Sequence, residues 1–373
     1  MIRPRFVSLD KVMANEYDIN YKGIETDVEK CPNCAGKMVF DPNSQMLKCE
    51  YCGFLKRVEK NKNVVENDIE KGFEDAEKWN KNEQATYTCE NCGATVIVRA
   101  DEQAIVCPYC GASHVVKSGS FEGIKPHAVI PFMVSAFQAT EQVKRWAKKR
   151  IFAPRSFKKS LFVENTHGVY EPCFTFDSNT YSTYQGRVGD RHTRVVGSGK
   201  NKRTETYIVY RNVSGSHEFF FDDVMITTND NFNQKTLDKL SPYKAKDACV
   251  YESKYLSGYV ADGYKKDLKQ SWKEAQGVMS STIKRDIESS LHCDVVDYIN
   301  VSTKYEQVKF KYLLIPVYLM NFLFRKKKYS VFVNGSTAKI CGKTPISPLR
   351  VGIACVLGAA LAVLLVWLAT LIQ

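Results

Sequence analysis

One cysteine pattern occurs twice in this chain and limits what its first third can fold into. Cys31, Cys34, Cys49 and Cys52 lie in CPNC and CEYC, and Cys89, Cys92, Cys107 and Cys110 in CENC and CPYC, so both sets read C-x2-C-x14-C-x2-C. Each cysteine of the second set follows its counterpart by 58 residues, which makes the unit an internal repeat. Two thiolates three residues apart on a tight turn supply half of a tetrahedral Zn²⁺ site, and two such turns complete it. Gly53, Gly93 and Gly111 directly follow second cysteines, where the turn needs a residue that tolerates positive φ; Ala35-Gly36 departs from that. The spacing therefore predicts two structural zinc ribbons, over 28–58 and 86–118, each holding one Zn²⁺ with no open coordination position. Four thiolates of this kind also accommodate iron. CPYC alone would suit a dithiol redox site, but here it closes a repeated four-cysteine set. Each unit of about 30 residues is too small to bury a core, so metal binding, worth roughly 10 to 16 kcal/mol, is its folding energy.

The other end carries a second constraint. Val351 to Ile372 runs 22 residues without a charge. At about 1.5 Å per residue such a helix covers roughly 33 Å, the thickness of a hydrocarbon core. The N-terminal stretch MIRPRFVSLDKV has no apolar signal region. Lys339, Lys343 and Arg350 precede the span and nothing basic follows it, so the positive-inside rule predicts a single-pass, tail-anchored protein with its bulk in the cytoplasm. That reducing compartment suits eight zinc thiolates and argues against a disulfide framework. Leu313 to Phe324 is apolar too, but at 12 residues with Pro316 inside it reads as a buried strand.

The formal net charge of +12 is unevenly placed. Residues 1–124 hold 16 Lys+Arg against 20 Asp+Glu, and residues 125–373 hold 37 against 21. An acidic ribbon half repels a nucleic-acid duplex, which weakens a nucleic-acid partner without removing it as an alternative. The basic half adjoins the span, where anionic head groups attract it. Lys144, Arg145, Lys148, Lys149 and Arg150, and Arg325, Lys326, Lys327 and Lys328, are the candidate membrane-surface residues.

The rest of the chain divides into a flexible arm at 1–27, a charged linker with a short amphipathic helix at 59–85, and an α+β domain at 125–345 rich in antiparallel strands. Phe137, Val143, Trp146 and Ala147 mark a basic helix, and Trp272, Ala275, Met279, Ile283, Ile287 and Leu291 a longer one. Val169–Phe176, Thr204–Val213, Glu218–Thr227 and Val295–Lys304 read as strands. Asn334-Gly335 predicts a type I′ hairpin turn. The glycine- and arginine-rich stretch from Gly186 to Arg203 reads as a mobile hairpin tip.

A search for catalytic chemistry finds decoys. The GKT at Gly342 to Thr344 lacks the earlier glycine of a phosphate loop, since that position is Thr337. Asp222-Asp223 reads as a turn or strand end, and the six histidines show no ligand spacing. The reading is therefore of a non-enzyme, with no small-molecule substrate identified. An enzyme acting at the membrane surface through Asp222, Asp223, His217 and the Gly186–Arg203 tip stays as an alternative.

The segments PHAVIPF, WAKKRIFAP, GVYEPCFTFD, FDDVMI, YLSGYVADGY, LLIPVYLMNF and VFVNGSTAKICGKTP, with the ribbons before and the apolar end after them, resemble a group of bacterial membrane proteins with TFIIB-type zinc ribbons, often labelled primosomal or replication-restart helicase-like. The chain has no ATP-binding loop to support that label. The resemblance implies zinc at all eight cysteines and a membrane-bound accessory protein associated with flotillin-like and phage-shock-type envelope-stress proteins. The expected role is a scaffold or adaptor, whose ribbons form a docking surface far from the membrane for a membrane-associated protein partner.

Overall fold

A computed structural model of the chain describes residues 30–75, 84–90, 94–99, 107–109, 115–120, 124–159, 166–199, 202–229, 232–324 and 327–372. The arm expected at 1–27 lies outside them. The first repeat folds into a small antiparallel sheet of β1 (Met38–Asp41), β2 (Met46–Cys49) and β3 (Leu55–Arg57). Asp41 closes its first turn by accepting from the backbone N–H of Ser44 at 3.0 Å, while Gln45 takes a left-handed φ of 57°. Alternation turns Met38, Phe40, Leu47 and Cys49 inward. The linker supplies β4 (Asn67–Asp68) and α1 (Ile69–Asp75), with the Asp68 carboxylate accepting from the N–H of Glu70 at the helix start.

The second repeat contributes β5 (Gln84–Cys89), β6 (Thr95–Arg99) and β7 (Val115–Ser120), followed by β8 (Ala128–Val129), α2 (Ala136–Lys148) and α3 (Arg155–Lys159). Two long strands come next, β9 (Thr166–Val196) and β10 (Arg203–Thr227), then α4 (Gln234–Leu240), β11 (Cys249–Val250), β12 (Val260–Asp262) and α5 (Leu268–Ser290). The chain continues through β13 (Val295–Phe324), β14 (Lys327–Asn334) and β15 (Ile340–Gly342) into α6 (Pro348–Ile372). Capping boxes start both long amphipathic helices, Ser135 with Gln138 at α2 and Asp267 with Gln270 at α5. α5 buries Ala275, Met279, Ile283 and Ile287, the stripe its spacing predicts. On α2 the outcome is mixed: Val143 and Ala147 are buried, but Phe137 is 63% exposed.

The main sheet runs β11-β8-β13-β9-β12-β6-β5-β7, with β10 added on β9 and β14 and β4 on β13. Its spine is the antiparallel pair β9–β13, in register from Val295 opposite Gly189 to Met320 opposite Thr166. Both faces of this spine are covered. Phe310, Tyr312 and Leu314 of β13 join Tyr170, Phe174 and the buried stripe of α5 on one side, while Leu313, Ile315 and Val317 meet Leu237 and Leu240 of α4 on the other. Two buried faces explain why Leu313 to Met320 reads as a continuous apolar run.

Pro316 fits inside that central strand because of a gap. The carbonyls of Leu314 and Pro316 accept from Ile130 and Gly335 on the same side, so the proline nitrogen also points that way. There β8 has ended opposite Leu314, and β14 begins only at Val317. The missing N–H therefore costs no ladder bond.

Three expectations need correction. The hairpin at Asn334 forms, but not through a type I′ turn: neither Asn334 nor Gly335 has a positive φ, and Ala338, at 59°, takes the left-handed position. The Asn334 side chain accepts from the N–H groups of Ser336 and Thr337 and organises a longer loop, while Gly335 is required because a Cβ would lie 2.6 Å from the Phe132 ring. The Gly186–Arg203 stretch is paired strand up to Val196 opposite Arg203. A Cβ at Gly186 would meet the Tyr298 carbonyl oxygen at 2.5 Å, so that glycine serves close strand approach rather than mobility. Finally, the repeats are not modules at a distance. β6 pairs with β12, which joins the second repeat to the main sheet. The first repeat packs on the same domain: the Phe40 N–H donates to the Ser257 carbonyl at 3.0 Å and the Gln45 amide to that of Phe132 at 2.7 Å. A unit this small buries its apolar residues only by sharing a core, and Met38, Phe40 and Leu47 share theirs with Tyr170 and Phe174.

α6 leaves this body as a helix long and apolar enough to cross a membrane, with none of Pro348–Leu365 buried against the protein.

Candidate metal centre

The first four cysteines come together through two turns of the same construction. Cys31 N–H donates to the Gly36 carbonyl and Cys49 N–H to that of Phe54, at 2.8 and 2.9 Å; Ala35 and Gly53 donate back to Cys31 and Cys49 at 2.8 and 3.0 Å. Ala35 takes a φ of 56° where Gly53 takes 72°, so the alanine occupies the glycine position of the other knuckle. The four sulfurs all lie within 4.8 Å of one another, with Cys31–Cys52 at 3.4 Å and Cys34–Cys49 at 3.5 Å. A tetrahedral zinc with Zn–S bonds of about 2.3 Å places its sulfurs about 3.8 Å apart, so the set fits that ion. Gly36 keeps the space open, since a Cβ there would stand 2.5 Å from the Tyr51 ring and 3.3 Å from the sulfurs of Cys34 and Cys49.

The electrostatics favour the same occupant. Backbone N–H groups of Cys52 and then Tyr51 lower the Cys49 thiol to about 6. At Cys34 the Gly36 N–H favours the thiolate, but hydrogen bonds among the neighbouring sulfurs outweigh it and raise the thiol to about 12. The knuckle's own dipoles thus ionise Cys49 readily, and a divalent cation is what lets Cys34 follow.

In the second repeat, Cys89 N–H donates to the Ala94 carbonyl at 2.9 Å, the same bond that Cys31 makes to Gly36. Cys89 and Cys107 are fully buried and share a small core with Ala94, Tyr109 and Leu319. Cys92 and Cys110 lie outside the described residues. One complete four-cysteine cluster is therefore present among the described residues.

The second repeat is seated on the sheet by side chains that its cysteine pattern does not reveal. Tyr109, inside CPYC, places its hydroxyl 2.6 Å from Glu171 Oε1 on β9 and 2.5 Å from Asp262 Oδ2 on β12. A phenol has one proton, so one of these carboxyls must keep its own. Burial raises Asp262 to about 7; burial and then the Asp262 charge raise Glu171 well above the usual carboxylate range. Asn321 of β13 adds a hydrogen bond to the Pro108 carbonyl at 2.8 Å. A signal for this seat exists in GVYEPCFTFD, where Glu171 stands inside an otherwise apolar run.

The alternative catalytic residues do not converge. Asp222 and Asp223 form a bulge between Phe221 and Val224, with Asp223 at a φ of 52°. Asp223 pairs with Lys311 at 2.7 Å and donates its N–H to Asp177 at 2.6 Å, and Glu66 reaches Lys311 at 3.1 Å. This knot closes on itself, next to a recess of about 590 Å³ lined by Glu66, Asp68 and Lys309. His217 instead meets Asp286 of α5 at 3.1 Å, beside a separate recess of about 400 Å³.

Of the membrane-surface candidates, Lys144, Arg145 and Lys148 lie on α2 and Lys149 and Arg150 directly after it. All but the half-buried Lys144, paired with Glu141 at 2.8 Å, are exposed. Lys327 is exposed at the start of β14 and Lys328 sits opposite Leu323, while Arg325 and Lys326 lie outside the described residues.

Fold and site together define a mixed α+β chain rich in strands, with a four-cysteine cluster suited to zinc and one helix able to cross a membrane. A relative from Bacillus subtilis (strain 168), described as "Uncharacterized protein YdjG", is 28% identical over 324 residues, covering 85% of this chain and 90% of the relative. No family model and no solved structure matches the chain.

Proposed function

We propose that this chain is a membrane-anchored scaffold of the TFIIB-type zinc-ribbon kind, held by α6 with its bulk in the cytoplasm, binding two structural zinc ions and docking a membrane-associated protein of the envelope-stress type. The observation that carries the reading is the closed four-cysteine cluster packed on the same domain that leads into α6. A closed cluster leaves no coordination position for substrate, so its chemistry is structural. It stiffens β1–β3 into a small surface that can meet a partner at low ordering cost. The second zinc rests on the repeat spacing and on the shared knuckle bond at Cys89. His217 lines one recess, and Asp222 and Asp223 do not line it with His217.

The nucleic-acid alternative finds aromatic and basic side chains together on the β9–β10 arm, where the Arg187 guanidinium lies 4.4 Å from the centre of the Tyr210 ring. Four of the arm's arginines face three carboxylates: Arg187 meets Asp297, Arg211 meets Asp190, and Arg194 and Arg203 share Glu205. An arginine already bonded to a carboxylate must give up that partner before it can neutralise a phosphate, which weakens this alternative.

Affinity isolation of the full chain from detergent-solubilised native membranes tests the proposal against a Cys31→Ser, Cys34→Ser variant of equal expression. A membrane protein retained stoichiometrically by the parent and lost from the variant is the expected result. Recovery of nuclease-sensitive nucleic acid in its place overturns it.

A further inference from the structure

The loop that follows α2 is tied to the base of α6. Arg350, in the first turn of that helix, donates to the carbonyls of Ile151 and Ala153 at 2.9 and 2.7 Å, and the Phe152 carbonyl accepts from Ser347 N–H at 2.9 Å. Held in this way, the loop turns apolar side chains outward: Ile151 is 69% exposed and Phe152 38%, next to Leu349 at 74%. Lys148, Lys149 and Arg150 are exposed immediately beside them. The stem of Arg150 is fixed as well, with its guanidinium 5.0 Å from the centre of the Trp146 ring.

An exposed apolar pair flanked by cations, bonded to the first turn of an apolar helix, matches one environment. A helix of 25 residues spans about 37 Å, slightly more than a hydrocarbon core of about 30 Å, so its first turn sits at the head-group level. The hydrogen bonds donated by Arg350 and Ser347 hold residues 151–153 at that same level. We infer that residues 148–153 form a second membrane contact, with Ile151 and Phe152 entering the boundary between head groups and acyl chains and Lys148, Lys149 and Arg150 meeting anionic lipid head groups. This inference rests on the reading of α6 as a membrane span. Continuity with that span selects lipid as the occupant, and the three cations select anionic lipid. The contact has a mechanical role: one helix alone leaves the attached body free to rotate about its axis, and a second point of contact fixes which side faces the bilayer.

The test uses the full chain reconstituted in phosphatidylethanolamine vesicles with and without phosphatidylglycerol. Photoreactive benzoylphenylalanine is placed in turn at position 152, at 356 within α6 and at 298 on the β13 surface. Lipid adducts are expected at 152 and 356 and not at 298, and removing phosphatidylglycerol is expected to lower the yield at 152 several-fold while leaving that at 356 unchanged. An adduct at 356 with none at 152 overturns the second contact and leaves the span standing. Failure at both positions overturns the span and the contact with it. A chain-to-chain crosslink at 152 overturns the lipid assignment in favour of a second copy.

Discussion

Ala35 illustrates how much single positions decide here. It stands at a φ of 56° in a knuckle whose twin uses glycine, and a left-handed conformation costs a residue with a Cβ roughly 1 to 2 kcal/mol. Part of that is returned by the smaller freedom of alanine in the unfolded chain. Ala35→Gly is therefore expected to stabilise the metal-loaded protein by about 0.5 to 1 kcal/mol, measured by denaturant unfolding, and a destabilised variant would show that the knuckle is not strained. The buried acid pair makes a prediction about pH. Asp262 holds its proton to about 7 in the fold but only to about 3.9 unfolded. A raised acid contributes stability that is complete below the unfolded value and lost as pH rises through the folded one. Parent and Asp262→Asn should diverge accordingly: between about pH 4 and 7 the variant gains on the parent by up to about 1.4 kcal/mol per pH unit. A difference independent of pH over that range would mean that Asp262 is ionised in the fold.

At the level of strands and helices, the hairpin at Asn334 carries the largest local stake. Its fully buried side chain accepts from Ser336 and Thr337 and donates to the carbonyls of Leu240 and Pro242. Asn334→Ala leaves those groups without partners and should cost about 2 to 4 kcal/mol, seen as a fall in the denaturant midpoint. This hairpin also marks where sequence reading stops. Asn-Gly announces a turn, but which turn depends on Phe132 and Pro316 approaching Gly335 from distant parts of the chain. The elements that were legible obey local rules: the stripe of α5, the apolar run of β13 and the knuckle at Cys31. Phe137 obeyed the helical period and still faces outward, because periodicity says which residues share a face and not whether anything covers it. The Tyr109 seat shows in the sequence only through Glu171, because it joins three segments between 62 and 153 residues apart.

For the molecule as a whole, the cysteine repeats are built into the domain rather than strung before it. Cys107→Ser should consequently lower the stability of the entire sheet and not release a separate ribbon. A thermal transition in which residues 124–345 unfold at the parent's temperature would contradict the shared sheet. Removing Val351–Gln373 should free the protein from membranes washed at high salt, checked by fractionation. If it stays bound, the body without α6 itself binds lipid or a membrane partner.

The pairing of β9 with β13 also sets a timetable for synthesis. Phe176 finds Phe310 across more than a hundred intervening residues, and such non-local pairing is slow. The edge of β9 that pairs with β13 must therefore wait, unpaired, until residue 324 has been made. Only a short stretch then separates β13 from α6, so closing the sheet and shielding an apolar helix from water fall in the same brief interval, and a cell producing this chain has to manage both at once.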